Sequence, residues 1–131
     1  FVMASVHRLL NKQGGLLHFS ETNPEDAIER EFALTWAALS NHQVDILGHM
    51  FGMSYKRFKK VPPSDMIRKL IKRASLFGVA VEINSHYHPS ALQMLSWCQE
   101  FNAEITFGSN AHKLSAVGSA VSQLDQEIKN A

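Results

Sequence analysis

The residues of this sequence best suited to chemistry are its histidines, and their positions follow a pattern. His7 comes after the apolar stretch 1–6, and His49 after Val44-Asp-Ile-Leu-Gly48. His86 and His88 come after Val79-Ala-Val-Glu-Ile-Asn84, and His112 follows the stretch 104–107 in Phe107-Gly-Ser-Asn-Ala-His112. If each apolar run is a strand of one parallel sheet, five of the seven histidines lie on the rim where the carboxyl ends of the strands open, the side on which such sheets assemble their sites. Neutral imidazole nitrogen is the commonest protein ligand of borderline metals, so convergence there points to Zn, Mn or Fe. His7, His49 and His112 are the candidate ligands. His86 and His88 flank Tyr87 in a stretch that reads as an exposed loop, where a role in the site and a plain surface role both stand. His18 and His42, in a loop and at a helix end, read as ordinary surface residues.

Other side chains add to this rim. Glu82 lies inside the apolar run 79–83, where a carboxylate is costly unless it has a cation, a donor or a metal beside it. It is expected either to accept hydrogen bonds structurally or to orient a ligating histidine from behind. Asn84 shares its strand face by the period of two and is expected to satisfy loop backbone and to reach substrate. Ser109-Asn110 is compatible with a plain turn. Nucleophilic catalysis finds less support: Cys98 sits on an apolar helix face beside Trp97, the setting of an inert core thiol, and no serine stands in a GxSxG context. The phosphate loops GxxxxGK[ST] and GxGxxG are absent.

The elements that must position these residues alternate in the order strand, helix, four times. Asn23-Pro24-Glu25-Asp26 combines an N-cap, a first-turn proline and acids at the positive end of the dipole, and starts a helix that runs to about Leu39. The segment 8–22 reads as loop, with a short extended piece at 16–19. After a loop through Pro62-Pro63, a second helix is expected from about Asp65 to Phe77, with Ser64 as its cap and Gly78 as its stop. Pro89-Ser90 opens a third helix over 91–101, with Leu92, Leu95, Trp97 and Cys98 toward the core, and a fourth covers about 116–129. Four β-α units argue for an α/β protein with a parallel sheet, too few for a closed eight-stranded barrel. Either the sheet is open or it is half of a barrel.

Composition agrees with one domain. The 131 residues, 45% apolar and 19% charged with a net charge of +1, suit one globular unit large enough to bury a real core. One cysteine excludes a disulfide scaffold and a CxxC zinc or redox motif. No run of about 18 apolar residues suggests a membrane span. The chain opens on Phe1-Val-Met-Ala-Ser-Val with no basic region or cleavage pattern, so no signal peptide is expected and the location is read as cytoplasmic. The same opening reads as a chain beginning inside a strand, a fragment of something longer. Net charge conceals an asymmetry: 56–73 holds eight basic residues against the single acid Asp65, a balance of +7, which leaves −6 for the rest. Such a stripe suits nucleic acid, or the solvated face of a helix, which is the commoner meaning.

Four stretches, Ala4-Ser-Val-His7, Asp45-Ile-Leu-Gly-His49, Glu82-Ile-Asn84 and Gly108-Ser-Asn-Ala-His112, resemble in order and spacing the later motifs of the PHP family, named for polymerase and histidinol phosphatase. The resemblance implies the C-terminal part of a distorted seven-stranded β/α barrel that holds up to three metal ions at its strand ends and cleaves phosphate esters. It implies metal-ligand positions for His7, His49 and His112 and a supporting role for the strand that carries Glu82 and Asn84; Arg8, by its charge and its place directly after the first histidine, is expected to contact a substrate phosphate. The family's opening His-x-His motif, its next histidines and its bridging glutamate are absent, and its aspartate in the last motif is here Asn110, a poorer and uncharged ligand.

The functional expectation is therefore part of a metal-dependent phosphoesterase acting on a small phosphomonoester, with Zn, Mn or Fe as cofactor. Two other readings accompany it. One is a PHP-type nuclease acting on DNA, which the basic stripe favours. The other is a degenerate interaction module, favoured by Asn110 and by the missing motifs, whose exposed sheet edge would join a second copy or the N-terminal half-domain.

Overall fold

The short motif Asn23-Pro24-Glu25-Asp26 starts the first helix as expected. In the computed structural model, which describes residues 1–131, the Asn23 side chain accepts from the Asp26 N–H at 2.8 Å and α1 runs Pro24–Ala38. The remaining helices are α2 (Gly52–Phe58), α3 (Ser64–Leu76), α4 (Ala91–Glu100) and α5 (Ser119–Asn130). The strands are β1 (Met3–Ala4), β2 (Leu9–Leu10), β3 (Leu16–Leu17), β4 (Ile46–Leu47), β5 (Ala80–Asn84) and β6 (Ile105–Gly108). No helix is long and apolar enough to cross a membrane.

The four β-α units form one parallel sheet in the order β1-β4-β5-β6, so each strand lies beside its predecessor in the sheet. The α/β class read from the sequence holds. The sheet is open, with β1 and β6 as unpaired edges, and β2 and β3 form a separate antiparallel hairpin. The paired stretches at 3–4 and 46–47 are shorter than the apolar runs that contain them.

Three further details depart from the sequence reading. A helix, α2, occupies part of the expected loop between Gly48 and Pro62. Pro63, not Ser64, is the residue that caps α3, and no side chain bonds there. His88 lies in a packed turn and is only 7% exposed, because backbone groups of both β5 and the segment after β4 close over its ring.

One face of the sheet is covered by helices. Val81 and Ile83 of β5 and Leu47 of β4 pack against Ile67, Leu70, Ile71 and Ala74 of α3 and against Met94 and Cys98 of α4. The α3 residues fall at i, i+3, i+4 and i+7, while Arg68, Lys69 and Lys72 face water. Burial pushes the Cys98 thiol up to about 11, the inert behaviour expected of it. Gly78, at φ +66°, ends α3 by letting its own N–H return to Ser75 and that of Val79 to Ala74. Trp97 is half-buried and packs against this core, on the side expected of it.

The other face carries Ile46, Ala80, Glu82, Asn84 and Thr106, with Met3 half exposed at the edge. Here Gly108 is required by its neighbour: a Cβ on it would overlap the Glu82 carboxylate. Two acids, one buried and one half-exposed, tie the helices down. Glu31 of α1 accepts from the Met53 and Ser54 N–H groups and the Ser54 hydroxyl at the start of α2. Glu127 of α5 likewise accepts from Ser90 Oγ and from the Ala91 and Leu92 N–H groups at the start of α4.

Candidate metal and anion site at the strand ends

The site begins with the two strands that deliver histidines to the rim. His7 leaves β1 and His49 leaves β4, neighbours in the sheet, and their rings stack with centroids 5.0 Å apart and planes at 26°. Their Nε2 atoms face each other at 3.1 Å. Both nitrogens cannot carry a proton at that distance, so at least one presents a bare lone pair. The same spacing suits two nitrogens directed at one ion.

His49 is held from below. Its backbone has a positive φ of 21°, an uncommon conformation for a residue with a side chain, and Phe51 follows at 58°. The His49 N–H donates to Glu82 Oε2 at 2.6 Å, and Glu82 Oε1 in turn accepts from Asn84 Nδ2 at 3.1 Å. Glu82 thus has donors on both oxygens, as a carboxylate within an apolar strand requires. It supports the histidine through the backbone and leaves the ring free. Burial holds the His49 imidazole below its ordinary pKa, so the ring is a neutral donor near pH 7. Its Nδ1 is buried without a hydrogen-bond partner.

Asn84 is the hub of the turn after β5. Its Oδ1 accepts from the His86 N–H, and its own N–H donates to His88 Nδ1 at 3.0 Å. With Nδ1 accepting, the His88 proton sits on Nε2 and points at the Met50 carbonyl, 3.3 Å away. Burial lowers this imidazole to about 4. His88 is therefore a neutral strut linking β5 to the segment after β4. His86 is exposed.

Tyr87, between two histidines in the sequence, is a site residue that the sequence pattern does not single out. It is buried, with its ring 4.6 Å from that of His49 and edge-on to His86 at 4.7 Å. Asn110 Nδ2 donates to the Tyr87 hydroxyl at 3.1 Å, so Asn110 touches the site through Tyr87. His112 is exposed, and no three His, Cys, Asp or Glu side chains gather closely enough to hold an ion among them. The structure thus pairs His7 with His49, places Glu82 and Asn84 beneath them, and leaves His112 outside the pair.

Beside His7 the rim is basic. Arg8, His18, Lys56 and Arg57, with Ser20 and Met53, line a cleft of about 430 Å³. The rest of the basic stripe is largely engaged elsewhere. Lys60 pairs with Glu25, Arg68 with Glu100 and Lys69 with Asp65, while Arg73 lies 4.2 Å over the Trp36 ring. The α3 part of the stripe is accordingly a solvated, partnered helix face.

Comparison with known families bears on the C-terminal part of the chain. Residues 92–131, from α4 to the end of α5, match the family model described as PHP-associated. The match takes in Asn110 and His112 and agrees with the resemblance drawn from the four motifs, whereas His7, His49 and Glu82 lie before it. Searches of curated proteins and of solved structures found no match.

Proposed function

We propose that this chain is part of a metal-dependent phosphoesterase acting on a phosphomonoester, with His7 and His49 as ligands of a Zn, Mn or Fe ion. The observation that carries the reading is the 3.1 Å approach of two Nε2 atoms delivered by adjacent parallel strands. The donor set fits in part. Two imidazoles face one point and one is kept neutral by burial, but catalytic ions generally have three protein ligands, so a further ligand must come from outside the pair. His112 and Asn110, from the segment after β6, are the candidates that the sequence pattern offers. Uptake of an ion by both Nε2 atoms would place the His49 proton on the unpartnered Nδ1, a cost of about 1–3 kcal/mol, small beside the roughly 10–16 kcal/mol of a tight zinc site.

A divalent ion held there supplies charge to the phosphate oxygens and lowers the pKa of a bound water. The chain's own contribution is positional. Glu82 fixes the strained His49 backbone, Tyr87 packs against the His49 ring, and Arg8 stands next to His7 as a phosphate contact. Hydrolysis of a chromogenic phosphomonoester with Zn²⁺, Mn²⁺ or Fe²⁺ tests this. Turnover above the metal-only rate, abolished in His7→Ala and His49→Ala, is expected. No turnover with any of the three ions, or turnover unchanged in both variants, contradicts it.

A further inference from the structure

The cleft beside His7 brings together three permanent cations from segments far apart in sequence. Arg8 comes from the exit of β1, and Lys56 and Arg57 come from the last turn of α2. None of the three has an ion-pair partner, although five ion pairs occur elsewhere on the molecule. No acid lines the cleft. The acid closest in sequence to its wall, Glu21, is engaged by the His18 backbone N–H. Gathering like charges in a concavity without a counterion is unfavourable, and an anion relieves it. The Ser20 hydroxyl and the His18 imidazole add further hydrogen-bonding groups to the wall.

We infer that this cleft is an anion site for a phosphate group, held by Arg8, Lys56 and Arg57 without the participation of any metal. Arginine presents a planar fork that matches two phosphate oxygens at once, and lysine adds a point charge. A cleft of about 430 Å³ exceeds what one phosphate needs, so the group belongs to a larger organic molecule or to a polynucleotide backbone. The inference does not depend on the histidine pair binding metal, and it is tested with metal excluded.

The experiment is an amide NMR titration of the whole chain in EDTA with inorganic phosphate, phenyl phosphate and a short single-stranded oligonucleotide, against sodium chloride at matched ionic strength. Expected are saturable shifts at Arg8, His18, Ser20, Met53, Lys56 and Arg57, with the dissociation constant raised at least tenfold in Arg8→Gln/Arg57→Gln. These side chains are exposed, so the variant should keep its dispersed spectrum. Tighter binding of phenyl phosphate than of the oligonucleotide identifies a small phosphorylated ligand. Tighter binding of the oligonucleotide, weakening steeply with salt, identifies a nucleic-acid backbone. Shifts matched by chloride, shifts unaffected by the double variant, or none at all would overturn the inference. A chain that binds phosphate here yet takes up no metal would leave this site standing and refute the histidine pair.

Discussion

The backbone N–H of His49 and the Oε2 atom of Glu82 meet at 2.6 Å, a buried bond between adjacent strands that holds the histidine at its positive φ. The carboxylate is thereby the keystone of the rim, since its other oxygen receives Asn84 and its bulk is accommodated by Gly108.

Glu82→Ala should lower stability by about 2–4 kcal/mol, since it leaves the His49 N–H and the Asn84 amide without their acceptor. Gly108→Ala should destabilise to a similar degree by displacing the same carboxylate, and the double variant should cost clearly less than the sum of the two. Urea unfolding of the four proteins checks this. Additive losses would mean that the two positions do not share the packing described.

Stability should fall as pH drops from about 6.5 to about 4. His88 is neutral in the folded chain down to about 4, whereas in the unfolded chain it takes up a proton near its ordinary value, so the unfolded state binds more protons across that window. The shift corresponds to about 3 kcal/mol, and His49, lowered for the same reason, acts in the same direction. His88→Gln should flatten this slope in denaturant midpoints measured from pH 4 to 7. An unchanged slope would contradict the buried neutral strut.

Glu31→Ala should cost about 2–4 kcal/mol and selectively loosen α2, because two N–H groups and a hydroxyl lose their acceptor. Hydrogen exchange should accelerate in the α2 amides well before those of α4, which keep Glu127. Uniform acceleration would argue against a local role.

Asn110→Asp should raise divalent-metal affinity about tenfold if the segment after β6 contributes to the ion, because a carboxylate adds charge that a carboxamide lacks. Calorimetric zinc titration of the two proteins reads this directly. Equal affinities would place Asn110 outside the site, with only its bond to the Tyr87 hydroxyl.

Local signals were legible in the sequence and long-range ones were not. Asn23-Pro24 and Gly78 act within a few residues, and both set helix ends as read. The parallel sheet followed from the repeated alternation. Helix α2 escaped because its 7 residues are too few to show a period, and its start is satisfied by Glu31, more than twenty positions earlier. His88 read as exposed because its two partners, Asn84 and Met50, meet only in the fold. The Arg8–Arg57 cleft was hidden for the same reason. The pairing of His7 with His49 was foreshadowed by both lying at strand ends, whereas the position of His112 depends on the path of the chain after β6, which carries no period to read.

The central claim is that His7 and His49 together bind an ion, and elemental analysis of metal per chain after zinc loading and gel filtration tests it most directly. His7→Ala serves as the main control because that side chain is exposed and its loss should spare the fold. The account predicts close to one metal per wild-type chain and little in His7→Ala or His49→Ala. Metal-free wild-type protein, or equal metal in all three, would contradict it.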